Sequence, residues 1–253
     1  MSRIVIKVGS AVLTQDGALS LDRLSNLVEF IAKLKEQNNE IILVSSGAVA
    51  AGYTILKLDK TKVQNKQALA SLGQPLLMDT YRRKFSKYNL NCSQVLLEAT
   101  IFSDKNRLHH AKEAINVMLE NNIIPIVNEN DVTAIAELVF GDNDQLSAHI
   151  SYHFEADMLV ILTDIDGYYN DNPKTNSNAK LLKTVSSISK NELEATSTAN
   201  SEFATGGIVT KLKAADFLLS HNKQMFLANG FDLTSIKKYM IEKIHESGTL
   251  FKK

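Results

Sequence analysis

The sequence predicts an α/β fold, a three-layer αβα sandwich in which helices cover both faces of a mostly parallel central sheet. Two patterns carry that prediction. Short apolar, β-branched runs recur along the chain, with stretches of helical period between them. The runs are also mostly continuous in apolarity rather than alternating, as expected of strands covered on both faces.

In chain order, strands are expected at residues 4–6, 41–44, 94–97, 123–127, 158–162 and 224–227. The first leads into a small-residue turn, Lys7-Val8-Gly9-Ser10, and then into a helix over 21–35. There Leu24, Leu27, Val28, Ile31 and Leu34 fall three and four residues apart, on one face. The second strand runs into Ser45-Ser46-Gly47-Ala48, a turn that passes into helical pattern. A helix over 108–120 separates the third strand from the fourth, which ends in a loop rich in Asn and Asp. After the fifth strand, residues 170–178 read as a surface loop and 191–202 as a mobile stretch. A helix over 210–219 then precedes the last strand. Strands alternating with helices favour parallel pairing, and such sheets bind ligands beyond the carboxyl ends of their strands. The residues that follow each strand are therefore where chemistry is expected.

A single domain over residues 1–253 is expected, because this length is near the upper limit for one hydrophobic core and no stretch reads as a linker. The 28 Lys and Arg residues balance the 28 Asp and Glu residues, so nothing draws the chain generally to nucleic acid or to an anionic membrane. An anionic ligand must instead be met by local charge. The single cysteine, Cys92, precludes an internal disulfide and reads as a small buried hydrophobe in a reducing compartment. The apolar run at the start is broken by Lys7, is far shorter than the roughly 18 residues a span needs, and lacks a cleavage pattern. A cytoplasmic location follows as the expectation.

The turns after the first two strands let backbone N–H groups approach an anion closely. Neither matches the GxGxxG or GxxxxGK[ST] pattern, so a dinucleotide-dependent dehydrogenase is not indicated. Lys7 raises the interest of the first turn, since a lysine at the end of a parallel strand is a costly buried charge unless an anion meets it. Asn128-Glu129-Asn130-Asp131 and Gly141-Asp142-Asn143-Asp144 crowd carboxylates and carboxamides into two short loops. Asn and Asp also favour turns and caps, and Asn143 or Asp144 could serve only to cap a helix beginning near Leu146. Two such loops at one sheet edge suit a zwitterionic substrate beside a magnesium-nucleotide complex. In Thr205-Gly206-Gly207-Ile208-Val209-Thr210-Lys211, backbone donors, a hydroxyl and a cation gather at a helix start, as a nucleotide phosphate would require. Thr163-Asp164-Ile165-Asp166 lacks the length and terminal glutamate of an EF-hand loop.

Taken together, residues 4–14, 44–52, 71–74, 125–131, 141–144, 162–164, 204–211 and 248–251 resemble the amino-acid kinase family. The family's two lysines and glycine turns serve carbamate, aspartate, acetylglutamate and uridylate alike. The two Asn- and Asp-rich loops, in this order, are similar to those of members that phosphorylate glutamate. The resemblance implies the αβα fold of the family and transfer of the γ-phosphoryl group of ATP, with Mg2+, to the γ-carboxylate of L-glutamate. The product would be L-glutamyl 5-phosphate, the first step of proline biosynthesis.

For individual residues, the resemblance implies that Ser46, Asp131 and Asn143 bind the acceptor, with Asn128 and Asp142 close by. Lys7 and Lys211 would stabilise the transferring group and Asp144 would orient them. Lys7, Gly9, Ser10, Thr163, Asp164, Thr205, Gly206, Gly207, Thr210 and Lys211 would meet ATP, and no protein ligand to the metal is assigned. A carboxylate acceptor is ionised at neutral pH and needs no general base, so His109, His110 and His153 read as helix residues. The resemblance also implies a homo-oligomer, dimer or tetramer, with L-proline as a feedback ligand, and a catalytic domain without the C-terminal PUA-type domain that many such members carry. The readings left standing beside it are a family enzyme with another acceptor and a non-catalytic ligand sensor on the same fold.

Overall fold

The structure is a computed structural model that describes residues 1–134, 143–173, 175–194 and 207–253. Its centre is an eight-stranded sheet. In chain order the strands are β1 (Arg3–Val8), β4 (Glu40–Ser45), β5 (Asn91–Leu97), β6 (Ile123–Glu129), β7 (Met158–Thr163), β8 (Thr184–Val185), β9 (Gln224–Asn229) and β10 (Thr249–Phe251), with β2 (Thr14–Gln15) and β3 (Ala18–Leu19) forming a separate hairpin. The spatial order is β5-β6-β4-β1-β7-β9-β10-β8, and every pairing in it is parallel except that of β10 with β9.

Each expected strand is present, and most extend a residue or more past the predicted limits. β6 continues through Asn128 and Glu129, so these belong to the strand and not to the loop the sequence suggested. Extended pairing with β5, where Leu96 faces Asn128 and Leu97 faces Glu129, holds them there. The short strands β8 and β10 and the hairpin carry too few residues for periodicity to expose them.

The helices around the sheet are α1 (Ser10–Leu13), α2 (Leu21–Glu36), α3 (Ala48–Ile55), α4 (Val63–Phe85), α5 (Lys105–Glu120), α6 (Asp144–His153), α7 (Lys190–Glu194), α8 (Gly207–Ser220) and α9 (Thr234–Lys237). Part of the stretch read as mobile is thus the helix α7, and its remainder, 195–202, lies outside the described residues. No helix among the described residues is long and apolar enough to cross a membrane.

The period of two in β1 and β4 divides the core into two layers. Ile4, Ile6, Val8, Ile41 and Leu43 pack with α2 and α4 on one face, whereas Val5, Ile42 and Val44 pack with α5, α6 and α8 on the other. Lys7 follows Val5 by two residues, which sends its side chain toward α6 and α8. On the opposite face α3 and α4 meet almost backbone to backbone. A Cβ added at Gly52 would lie 2.0 Å from the Leu69 carbonyl oxygen, and one at Gly73 would lie 1.8 Å from that of Ala48.

β1 lies between β4 and β7, and the chain departs to opposite sides of it. This is a topological switch point, where the loops beyond neighbouring strands separate and leave a crevice. The carboxyl ends of β4 and β6 border that crevice on one side, those of β7 and β9 border it on the other, and Lys7 stands between them.

Candidate active site

Lys7 is only 1% exposed, Lys211 is 5% exposed and Asp144 is fully buried. Their convergence offsets the cost of burying them. Lys7 Nζ lies 2.6 Å from Asp144 Oδ1, and Lys211 Nζ lies 3.1 Å from Asp144 Oδ2. Thr210 Oγ1 lies 3.0 Å from both Asp144 Oδ2 and the Gly207 carbonyl oxygen, two acceptors for its one proton, and Lys211 Nζ donates to that same carbonyl at 2.9 Å. One carboxylate therefore spaces two ammonium groups that come from elements far apart in the chain. Both ammonium groups sit beside glycine turns: a Cβ at Gly9 would be 3.6 Å from Lys7 Nζ, and one at Gly207 3.9 Å from Lys211 Nζ.

The helix that carries Asp144 starts at that residue, two before Leu146, with Asn143 at its N-cap position but no side-chain cap bond. The side chains of both residues are thus turned to other partners, which removes the purely capping role. Asn143 Nδ2 donates to Asn128 Oδ1 at 2.9 Å and to Ser46 Oγ at 3.3 Å, which gathers three expected acceptor residues from α6, β6 and the turn after β4. Gly47, at φ +113°, lets the chain reverse from Ser46 into α3 in a backbone region that side chains disfavour. Asn143 Oδ1 is buried and, among the described residues, accepts no hydrogen bond. Such an acceptor is costly unless a donor, for example an ammonium, arrives.

Sequence reasoning assigned no role to the groups behind this pocket. Asn128 Nδ2 donates to Gln74 Oε1 at 3.1 Å, and Gln74 Nε2 donates to Gln94 Oε1 at 3.1 Å. Ser45 Oγ and the fully buried Tyr81 hydroxyl are 2.8 Å apart. The available signal was a glutamine beside Gly73 in a helix, at a position whose neighbours are apolar.

Asp131 follows the last residue of β6 by two, beyond the carboxyl end of that strand. Burial pushes its carboxyl up to about 6, and the neighbouring Glu129 charge adds to the shift. On the other side of the crevice, Thr163 is buried and donates to the exposed Asp164 carboxylate at 3.0 Å. Ser10 opens α1 with its side chain exposed and does not join the cluster. Asp142, Thr205 and Gly206 lie outside the described residues. His109 and His110 lie on α5, and His153 stacks on Phe102 at the end of α6 remote from Asp144. Cys92 is half-buried on β5, and burial raises its thiol to about 11.

The family model described as amino acid kinase family matches residues 2–229. Among curated proteins, the glutamate 5-kinase of Wolinella succinogenes is 50% identical over 255 residues, covering 99% of this chain and 98% of its own. The glutamate 5-kinase of Leishmania donovani is 49% identical over 251 residues, covering 99% and 95%. Among solved structures, an isopentenyl phosphate kinase superposes with a TM-score of 0.67 at 17% identity, covering 98% of this chain and 99% of that one. The UMP kinase of Ureaplasma parvum superposes with a TM-score of 0.64 at 18% identity, covering 100% and 99%. At these identities the solved structures speak for the fold.

Proposed function

The chain belongs to the amino acid kinase family, and from that premise we propose that it transfers the γ-phosphoryl group of ATP to the γ-carboxylate of L-glutamate, yielding L-glutamyl 5-phosphate and ADP. The observation that carries the chemistry is Asp144 with Lys7 and Lys211 on its two oxygens. Phosphoryl transfer asks a protein mainly for in-line placement and for fixed positive charge where negative charge is redistributed. Lys7 and Lys211 supply that charge from a site shielded from water, where fixed dipoles and charges act strongly. Asp144 holds their spacing, so little reorganisation is needed at the moment of transfer.

The acceptor side is read from Ser46, Asn128, Asn143 and Asp131, with Asp142 as an additional member by resemblance. The buried Asn143 Oδ1 and the Asp131 carboxylate suit a free α-ammonium, and the Ser46 hydroxyl suits a carboxylate. No side chain has to remove a proton, because the attacking γ-carboxylate is already ionised at neutral pH. On the donor side, Gly9, Ser10, Thr163, Asp164, Gly207 and Thr210 border the space for the nucleotide, with Thr205 and Gly206 added by resemblance. Among the described residues no three His, Cys, Asp or Glu converge to hold a metal ion. By resemblance, magnesium accompanies the ATP triphosphate, and no protein ligand to it is assigned.

The same reading makes this the entry step of proline biosynthesis in the cytoplasm. L-Proline shares the α-carboxylate and α-nitrogen of glutamate, which makes it a competitor for the acceptor pocket. A homo-oligomer is the proposed assembly.

The test is ADP release with magnesium and hydroxylamine present, using glutamate, aspartate, N-acetylglutamate, carbamate and uridylate as separate acceptors. Hydroxylamine traps acyl phosphates as hydroxamates. Turnover with hydroxamate formation on glutamate alone is expected. Turnover on another acceptor would overturn the substrate assignment, and silence on all five would turn the reading toward a ligand sensor.

A further inference from the structure

The loop that follows β9 is tied to both other loops on the nucleotide side of the crevice. In the sheet, Asn229 stands opposite Thr163. Its Nδ2 donates to Asp166 Oδ1 at 2.8 Å, while its Oδ1 accepts the N–H groups of Phe231 at 2.8 Å and Asp232 at 3.2 Å. The Gly230 N–H donates to the Thr163 carbonyl at 2.7 Å. A Cβ at Gly230 would come within 2.8 Å of Val12 Cγ2, so this loop also presses on α1, directly beyond Lys7 and Gly9. From the outside, the Arg23 guanidinium lies 4.5 Å above the Phe231 ring and donates to the Val12 and Thr14 carbonyls at 3.3 and 2.8 Å.

We propose that Asn229 is a positioning residue for the nucleotide, bridging the loop after β9 to Asp166 and so fixing the turn that carries Thr163 and Asp164. This rests on the reading above of that turn as nucleotide-facing. The bridge requires a donor and an acceptor on the same side chain. A carboxamide has both, whereas a carboxylate has only acceptors. Aspartate at this position would still receive the Phe231 and Asp232 N–H groups but would face Asp166 as a second carboxylate. The acceptor pocket lies across β1, so weakening this bridge falls on nucleotide binding and leaves glutamate binding alone.

The experiment compares the wild-type chain with N229D, N229A and the swapped pair D166N/N229D, measuring the ADP dissociation constant by calorimetry, KM for ATP and for glutamate, and Tm. N229D is expected to raise the ADP dissociation constant and KM for ATP roughly tenfold, the effect of losing a hydrogen bond to a charged group. KM for glutamate stays unchanged. N229A moves in the same direction. The swapped pair restores a donor facing an acceptor, with the carboxamide now on the β7 loop and the carboxylate on the β9 loop, so nucleotide affinity returns toward wild type. A purely structural role would lower Tm and disturb both substrates together, and the swap would not separate them. An unchanged ADP affinity in N229D, parallel changes in both KM values, or a swap without recovery overturns the proposal. Absence of ADP binding in the wild-type chain would count against the kinase reading itself.

Discussion

At the scale of single residues, the charged cluster makes the sharpest demand. Lys7→Ala and Lys211→Ala should each lower kcat on the order of 10²–10³-fold, the range for removing one preorganised electrostatic contact, and near-normal steady-state turnover in either variant would remove the role assigned to it. Thermal unfolding alongside separates this from misfolding, since Asp144 keeps one ammonium partner in each variant. Asp131 makes a demand on pH. Its folded-state value of about 6 is above the ordinary carboxylate value of 3.8, so the folded chain holds that proton more firmly. The sign follows by linkage: this group favours the folded state below the ordinary value, and that contribution is lost as pH rises through about 6. Binding an ammonium needs the ionised form, so kcat/KM for glutamate should fall as pH drops below about 6, and Asp131→Asn should abolish that limb of the profile. Lys7 was legible from sequence because a lysine closing an apolar parallel strand needs an explanation. The partner of Gln74 was not, although residues 71–74 entered the resemblance, because only the folded chain brings this helical glutamine to Asn128 at the end of β6.

At the scale of elements, short apolar runs sufficed to find the main strands, and apolar spacing found the α2, α5 and α8 helices. The limits were less legible, because they depend on partners. β6 outlasts its apolar run since β5 continues to pair with it, and α6 begins at Asp144 because Lys7 and Lys211 draw that residue inward. The contact between α3 and α4 shows the same dependence. Gly52 and Gly73 stand well apart in sequence and read as ordinary small residues, yet each fits against a carbonyl of the other helix. Gly73→Ala should destabilise the chain by about 1–3 kcal/mol or more, the cost of forcing atoms into a packed contact, as read by urea unfolding. An unchanged midpoint would mean that the helices separate freely. Since α3 also begins at the Ser46 turn, the variant should raise KM for glutamate more than KM for ATP.

At the scale of the whole molecule, the switch point at β1 divides the substrates. On the proposed reading, glutamate-directed groups hang from the β4 and β6 side and nucleotide-directed groups from the β7 and β9 side. Inhibition by L-proline should therefore raise the apparent KM for glutamate and leave that for ATP unaltered, and a proline titration at fixed, subsaturating glutamate measures this. Inhibition competitive with ATP would contradict the division. The fold class and this edge of the sheet were legible because parallel strands constrain where loops gather. Which loops touch was not, since contacts such as Asn229 with Asp166 depend on twist and register. The central place of β1 also bears on how the chain is made. Although β1 emerges before the other strands of the sheet, its β7 edge and the Asp144 partner of Lys7 emerge much later, after roughly ten seconds at about 5–20 residues per second. Until then the nascent chain carries a bare strand edge with a lysine it has no means to bury, an exposed target for mispairing and for chaperones. The charge arrangement read here as catalytic would thus also mark a late commitment in biosynthesis. Ribosome-bound chains stalled just before and just after α6 should differ sharply in resistance to protease.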